Sequence, residues 1–187
     1  MKGLSFLVLF FLIISTQEVN AQEKVANAID IFDAALEKAN HENKLVFIMF
    51  EASWCGWCKR MDKSMKVDSV KDYFSRNFVV AHMVVHESQK NKNLENPGAL
   101  EMLEKYGGAQ SGIPNWLIFN SKGELLADSR MPKDTYVLKG EGNNLGCPAS
   151  KEEVAGFLYK LKHTTDLTAA ELEEIRAVFR LNDPTNK

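Results

Sequence analysis

Leu45-Val46-Phe47-Ile48-Met49-Phe50, then Glu51-Ala52-Ser53, then Trp54-Cys55-Gly56-Trp57-Cys58-Lys59: this stretch decides how the chain is read. Six consecutive apolar residues suit a strand buried on both faces of a central sheet. From Cys55 to about Met65 the pattern turns helical, with Met61 and Met65 at i, i+4. The two thiols therefore fall in the first turn of a helix that follows a buried strand. At that place unsatisfied N–H groups and the positive end of the helix dipole favour thiolate over thiol. The thiolate is the attacking species in thiol–disulfide exchange. Cys55 feels the dipole most strongly, and Cys58, one turn along, is near enough to close a disulfide with it.

Outward from this centre the chain alternates. Towards the N-terminus, Val25, Ile29, Phe32, Ala35 and Leu36 recur at helical spacing between Glu23 and Lys44, and His41-Glu42-Asn43 ends that helix. Downstream, Asp68 is placed to cap a short helix through Phe74, and Phe78–His86 reads as a second strand rich in β-branched residues. Ser88–Gly98 is polar and reads as a loop. A helix over Ala99–Tyr106 stops at Gly107-Gly108. Asn115–Asn120 and Glu124–Asp128 flank Ser121-Lys122-Gly123 as a hairpin, and Arg130–Pro148 is irregular. Two capping boxes, Ser150 with Glu153 and Thr168 with Glu171, open two closing helices. This order predicts an α/β fold: a central mixed sheet flanked by helices, with an added N-terminal helix and an extra C-terminal helix.

Lys2, the apolar run Leu4–Ile14 and Val19-Asn20-Ala21 before Gln22 read as a secretory signal peptide over residues 1–21. The eleven residues of that run, ten of them apolar, would rise about 16 Å as a helix, against a hydrocarbon core of roughly 30 Å, so an uncleaved anchor is the weaker reading. The remainder, 22–187, is sized for one domain. The net charge of the 187-residue chain is −2, which points to neither nucleic acid nor anionic membrane as a partner. Export places three cysteines in an oxidising compartment, where a structural bridge with one thiol left over would be ordinary. A Cys55–Cys58 bridge closes only a tiny loop and constrains the unfolded chain little, so a redox pair is the better account.

The run Phe50–Lys59 resembles the active-site segment of the thioredoxin superfamily, and Ser111-Gly112-Ile113-Pro114-Asn115-Trp116-Leu117-Ile118-Phe119 resembles its second hallmark, an Ile-Pro before an apolar strand. The likeness covers about residues 30–161, with 164–182 as a helical extension, and is nearest to exported bacterial proteins with W-C-x-x-C-K. It implies a thioredoxin-like fold in which Cys55 is an exposed nucleophile and Cys58 a more buried resolving thiol. It further implies that Pro114 follows a cis bond facing the dithiol, so that Ile113 offers its backbone to an extended substrate. Trp54 would shield the sulfurs and give an apolar platform, and Trp57 would tune the pair and join the substrate surface. The implied activity is an exported, periplasmic or secreted, monomeric thiol–disulfide oxidoreductase, read as a reductase. It needs no organic cofactor and no metal, acts on protein or peptide disulfides and is served by a dithiol partner. An isomerase or oxidase using the same site, or a non-catalytic peptide-binding module, are the alternatives.

One departure stands out. Relatives often keep a buried acid six residues before the first cysteine, and here that residue is Met49. Glu51 lies on the same strand face and is the candidate replacement in a proton relay, with Lys59 as a secondary one. Cys147, in Gly146-Cys147-Pro148, reads as a lone, partly buried thiol that packs as a small hydrophobe, the alternatives being a mixed disulfide, a dimer or a regulatory bridge to the dithiol. His82 and His86 would share one strand face, but 23 residues separate Cys58 from His82, outside finger spacing for zinc.

Overall fold

The computed structural model describes residues 25–186, so the predicted leader lies outside the described residues. The first helix, α1 (Ala28–Glu42), starts where the Asn27 side chain accepts the Asp30 N–H at 3.1 Å. It ends at Asn43, whose φ of 53° lets its N–H return to the Ala39 carbonyl. Strand β1 (Leu45–Glu51) follows, then α2 (Gly56–Met65), α3 (Lys71–Asn77) and β2 (Phe78–Val84). A 3-10 turn (Gln89–Leu94) leads to α4 (Ala99–Lys105), the hairpin β3 (Asn115–Phe119) and β4 (Leu125–Asp128), and the two-residue strands β5 (Arg130–Met131) and β6 (Asn143–Asn144). Helices α5 (Lys151–Thr164) and α6 (Ala169–Arg180) close the fold.

The sheet order is β2-β1-β3-β4, with β1 parallel to β2 and antiparallel to β3, so the predicted mixed sheet is present. Alternation along β1 divides the core in two. Phe47 and Met49 join Trp116 and Ile118 beneath α2, α3, α5 and α6, among Met61, Phe74, Phe157 and Phe179. Val46, Ile48 and Phe50 join Leu117 and Phe119 beneath α1 and α4, among Ala35, Ala39 and Leu103. Each fully buried Phe or Ile contributes about 1.5–3 kcal/mol, and this two-sided burial makes β1 the rigid stem of whatever follows it. The extra helix α6 is part of the first layer, since Leu172, Ile175, Val178 and Phe179 are buried there. Both predicted capping boxes are formed, at Ser150 with Glu153 and at Thr168 with Glu171.

Three local expectations are corrected. Asp68 does not cap α3: Val70 holds that position without a side-chain bond, because a turn in which Val67 O accepts from Val70 N and Lys71 N precedes it, and Asp68 pairs with Lys71 at 2.7 Å instead. Strand β2 stops at Val84, and His86 turns out at φ 56°, so His82 and His86 do not share a strand face. The irregular segment after β4 contains the β5–β6 pair. Gly142 permits that pair, since its φ is 123° and a Cβ there would collide with the Met131 carbonyl. The same segment is held from below by Lys160. Its buried Nζ donates to the carbonyls of Arg130, Val137 and Leu138 at 2.8–2.9 Å and lies 3.8 Å from Asp128. Burial pulls this ammonium down to about 8, with Asp128 opposing.

Candidate active site

At the end of β1 the chain turns through Ala52-Ser53-Trp54, and Cys55 N–H closes the turn on the Ala52 carbonyl at 3.0 Å. Cys55 is the N-cap of α2. Its Sγ accepts the Cys58 N–H at 3.1 Å, the position a capping oxygen would take, so the sulfur sits on the positive end of the helix. Cys55 and Cys58 form a disulfide with Cα atoms 5.3 Å apart. The expected exposure of Cys55 is corrected: in this oxidised form it is 3% exposed, against 1% for Cys58, because Ala52 and Ile113 pack over the pair.

The turn is gripped from the segment after β2. The Glu87 carboxylate accepts Ser53 N–H at 2.5 Å and Ser53 Oγ–H at 2.9 Å, and the Ser53 amide holds it below the usual carboxylate range. The neighbouring His86 carbonyl accepts Trp54 Nε1–H at 2.8 Å. Trp54 thus stays fixed at one edge while being 57% exposed, and Trp57 is 43% exposed with the Arg60 guanidinium 4.6 Å over its ring. Opposite the disulfide, the Ile113–Pro114 bond is cis and the Ile113 carbonyl lies 3.7 Å from Cys55 Sγ. Asn144 Nδ2 donates to the carbonyls of Gly112 and Pro114 on either side.

Structure brings together Trp54, Cys55, Cys58, Ile113 and Pro114 of the predicted residues. Trp57 stands beside them on α2, and Lys59 is exposed on the same helix. Glu51 turns to a different neighbour. Its Oε2 lies 3.1 Å from His82 Nδ1, an ion-pair distance without hydrogen-bond alignment, and His82 Nε2 lies 3.7 Å from Asp62. The Glu51 carboxylate raises His82 above its ordinary 6.5, against the opposing effect of burial. Among the described residues no hydrogen bond joins Glu51 to either sulfur. Met49 is fully buried. Cys147 is a free, buried thiol that accepts from Asn182 Nδ2 at 3.5 Å, and burial pushes it up to about 12. No group of three His, Cys, Asp or Glu side chains among the described residues could hold a metal ion.

Glu87 and Asn144 were not singled out from sequence, and His86 was weighed there only as a metal ligand, not for the backbone carbonyl that holds Trp54. Each acts through contacts spanning about thirty residues, and neither periodicity nor a short motif marks such pairs.

The thioredoxin-like family model matches residues 27–121, from the cap of α1 to the turn after β3, with the disulfide and the cis proline inside it. The chain belongs to the thioredoxin-like family. Its fold is that of the thioredoxin-like disulfide oxidoreductases, carrying a C-x-x-C disulfide. Among solved structures, this thioredoxin-like protein is similar to a disulphide isomerase from Xylella fastidiosa Temecula1, at 27% identity over 55% of this chain and 73% of that one, with a TM-score of 0.46. It is similar to a candidate disulphide isomerase from Bacteroides thetaiotaomicron, at 33% identity over 56% and 78%, TM-score 0.41. It is also similar to a protein titled DsbH oxidoreductase, at 17% identity over 82% and 94%, TM-score 0.44. No curated protein matches the chain. No helix among the described residues is long and apolar enough to cross a membrane.

Proposed function

We propose that this chain is an exported thiol–disulfide oxidoreductase that works through Cys55 and Cys58, in the reducing direction. One observation carries the reading: Cys55 Sγ occupies the cap of α2, receives the Cys58 N–H, and faces the Ile113 backbone at 3.7 Å. A sulfur so placed is stabilised as a thiolate and lies beside a peptide edge on which a substrate chain can pair. In the dithiol form Cys55 thiolate attacks one sulfur of the substrate disulfide. That bond breaks, the departing sulfur takes a proton from solvent, and a mixed disulfide forms. Cys58 then loses its proton and attacks Cys55 Sγ, releasing the second substrate thiol and leaving Cys55–Cys58 oxidised, with two electrons transferred. A second dithiol protein restores the pair.

In this reading Trp54, Trp57, Ile113 and Pro114 form the substrate surface. Glu51, paired with His82, and the exposed Lys59 are the candidate routes for the Cys58 proton. Residues 1–21 are a removed leader and 22–187 a single, monomeric domain, with a core over about 30–161 and the extension 164–182.

The test is trapping. Cys58→Ser is expected to accumulate a mixed disulfide with a peptide client, visible on a non-reducing gel, and Cys55→Ser to lose turnover to background. Cys55→Ser retaining full activity sinks the enzyme reading in favour of a peptide-binding module. The reduction potential of the pair settles direction: below about −250 mV supports a reductase, and near −120 mV an oxidase.

A further inference from the structure

The β5–β6 segment reaches the dithiol end of the sheet through the Asn144 side chain. Its Nδ2 donates to Gly112 O at 3.1 Å and to Pro114 O at 2.9 Å, and its Oδ1 accepts from Gly146 N at 3.0 Å. Both donor hydrogens and one acceptor site are in use, so the carboxamide has one orientation. The two carbonyls it holds flank a third, that of Ile113, which is turned to Cys55 Sγ instead. The Ile113 N–H has no acceptor among the described residues. One side chain thus occupies the outer carbonyls of the tripeptide and leaves the central residue's donor and acceptor unclaimed by the backbone beside the sulfur. Asn144 is itself anchored, since β6 pairs with β5, and β5 is tied to α5 by Lys160.

Resting on the oxidoreductase reading, we propose that Asn144 is a positioning residue for the substrate chain. It holds the Gly112 and Pro114 carbonyls so that the Ile113 N–H and C=O stay presented to an extended peptide whose disulfide lies on Cys55. It touches no reacting atom. Its effect therefore falls on substrates with a backbone to pair and not on disulfides that lack one. An anchor that only held the fold together would slow every disulfide alike.

The experiment compares the full-length wild type with Asn144→Ala and Asn144→Asp. The second keeps the shape and the acceptor for Gly146 N–H but donates nothing. Each is assayed on a synthetic peptide closed by one disulfide and on hydroxyethyl disulfide, which has no peptide backbone. For both variants kcat/KM on the peptide is expected to fall about fivefold further than on hydroxyethyl disulfide, mainly through KM, as suits the loss of about one net hydrogen bond. Equal losses on the two substrates, or a peptide KM that does not rise, overturn the proposal. So does the unfolding of both variants, followed by their thermal midpoints, which makes Asn144 a structural anchor alone. A wild type that reduces neither disulfide overturns the oxidoreductase reading itself, a result distinct from all of these.

Discussion

Cys55, Cys58 and Cys147 are 3%, 1% and 6% exposed, so three sulfurs of one chain are about equally withdrawn from water. Their surroundings differ in what the backbone supplies. Around Cys147 there is the Asn182 carboxamide at 3.5 Å, and although Arg60 pulls the thiol down, burial dominates and holds it near 12. Around Cys55 there is the open end of α2, with the Cys58 N–H on the sulfur at 3.1 Å. Desolvation penalises a thiolate in both places, and at the helix end fixed dipoles offset it. On the proposed oxidoreductase reading, reactivity follows the direction of backbone N–H groups and not access to solvent.

The largest expected effect is on labelling. At pH 8 a thiol with a pKa of about 12 is ionised to about one part in ten thousand. In the fully reduced protein Cys147 should therefore alkylate with iodoacetamide at least about a thousandfold more slowly than Cys55, followed site by site by mass spectrometry. Comparable rates would break the contrast.

A smaller effect tests what keeps Cys147 enclosed. Asn182 is buried, bonds Ser64 on α2 and the Cys147 sulfur, and lends its carbonyl to Arg60. Asn182→Ala is expected to cost about 1–3 kcal/mol in urea unfolding and to speed Cys147 labelling without changing that of Cys55. If Cys147 labels no faster, the enclosure does not depend on this contact.

The smallest effect is on the dithiol's own helix. His82 faces Glu51 from β1, Asp62 from α2 and Lys66 just past the end of α2, and Glu51 raises it above 6.5. Because the folded value is the higher, the stabilisation is fully present below about 6.5 and is lost as pH rises through the folded value. The site is about one-third exposed, so the contribution stays below about 1 kcal/mol. Unfolding midpoints of wild type and His82→Gln should differ more at about pH 5.5 than at about pH 8.5, and an equal gap would remove the pair as a contributor.

The elements that position the disulfide were legible because their signals are local. A continuous apolar run gave β1, thiols at helical spacing gave the start of α2, and two capping boxes gave the last two helices. What stayed hidden depends on distant partners. Phe78–His86 reads as one strand until the His86 carbonyl is needed by Trp54 and the chain turns away. Glu51 was placed on the correct strand face, but its actual neighbour, His82, comes from the parallel strand β2. Cys55 looked exposed because a helix start usually is, and it is the approach of Ile113 from beyond residue 110, together with Ala52, that covers it.

Lys160 carries a consequence of another kind. Its ammonium gathers carbonyls 22, 23 and 30 residues away in sequence, within a stretch that has almost no regular pairing of its own. In loop-rich proteins that office is commonly filled by a calcium ion, which collects oxygens from scattered points and leaves when diluted. Here the cation is covalently part of α5. The segment beside the dithiol is thus organised around a charge that chelators cannot remove and that arrives in place each time the helix docks.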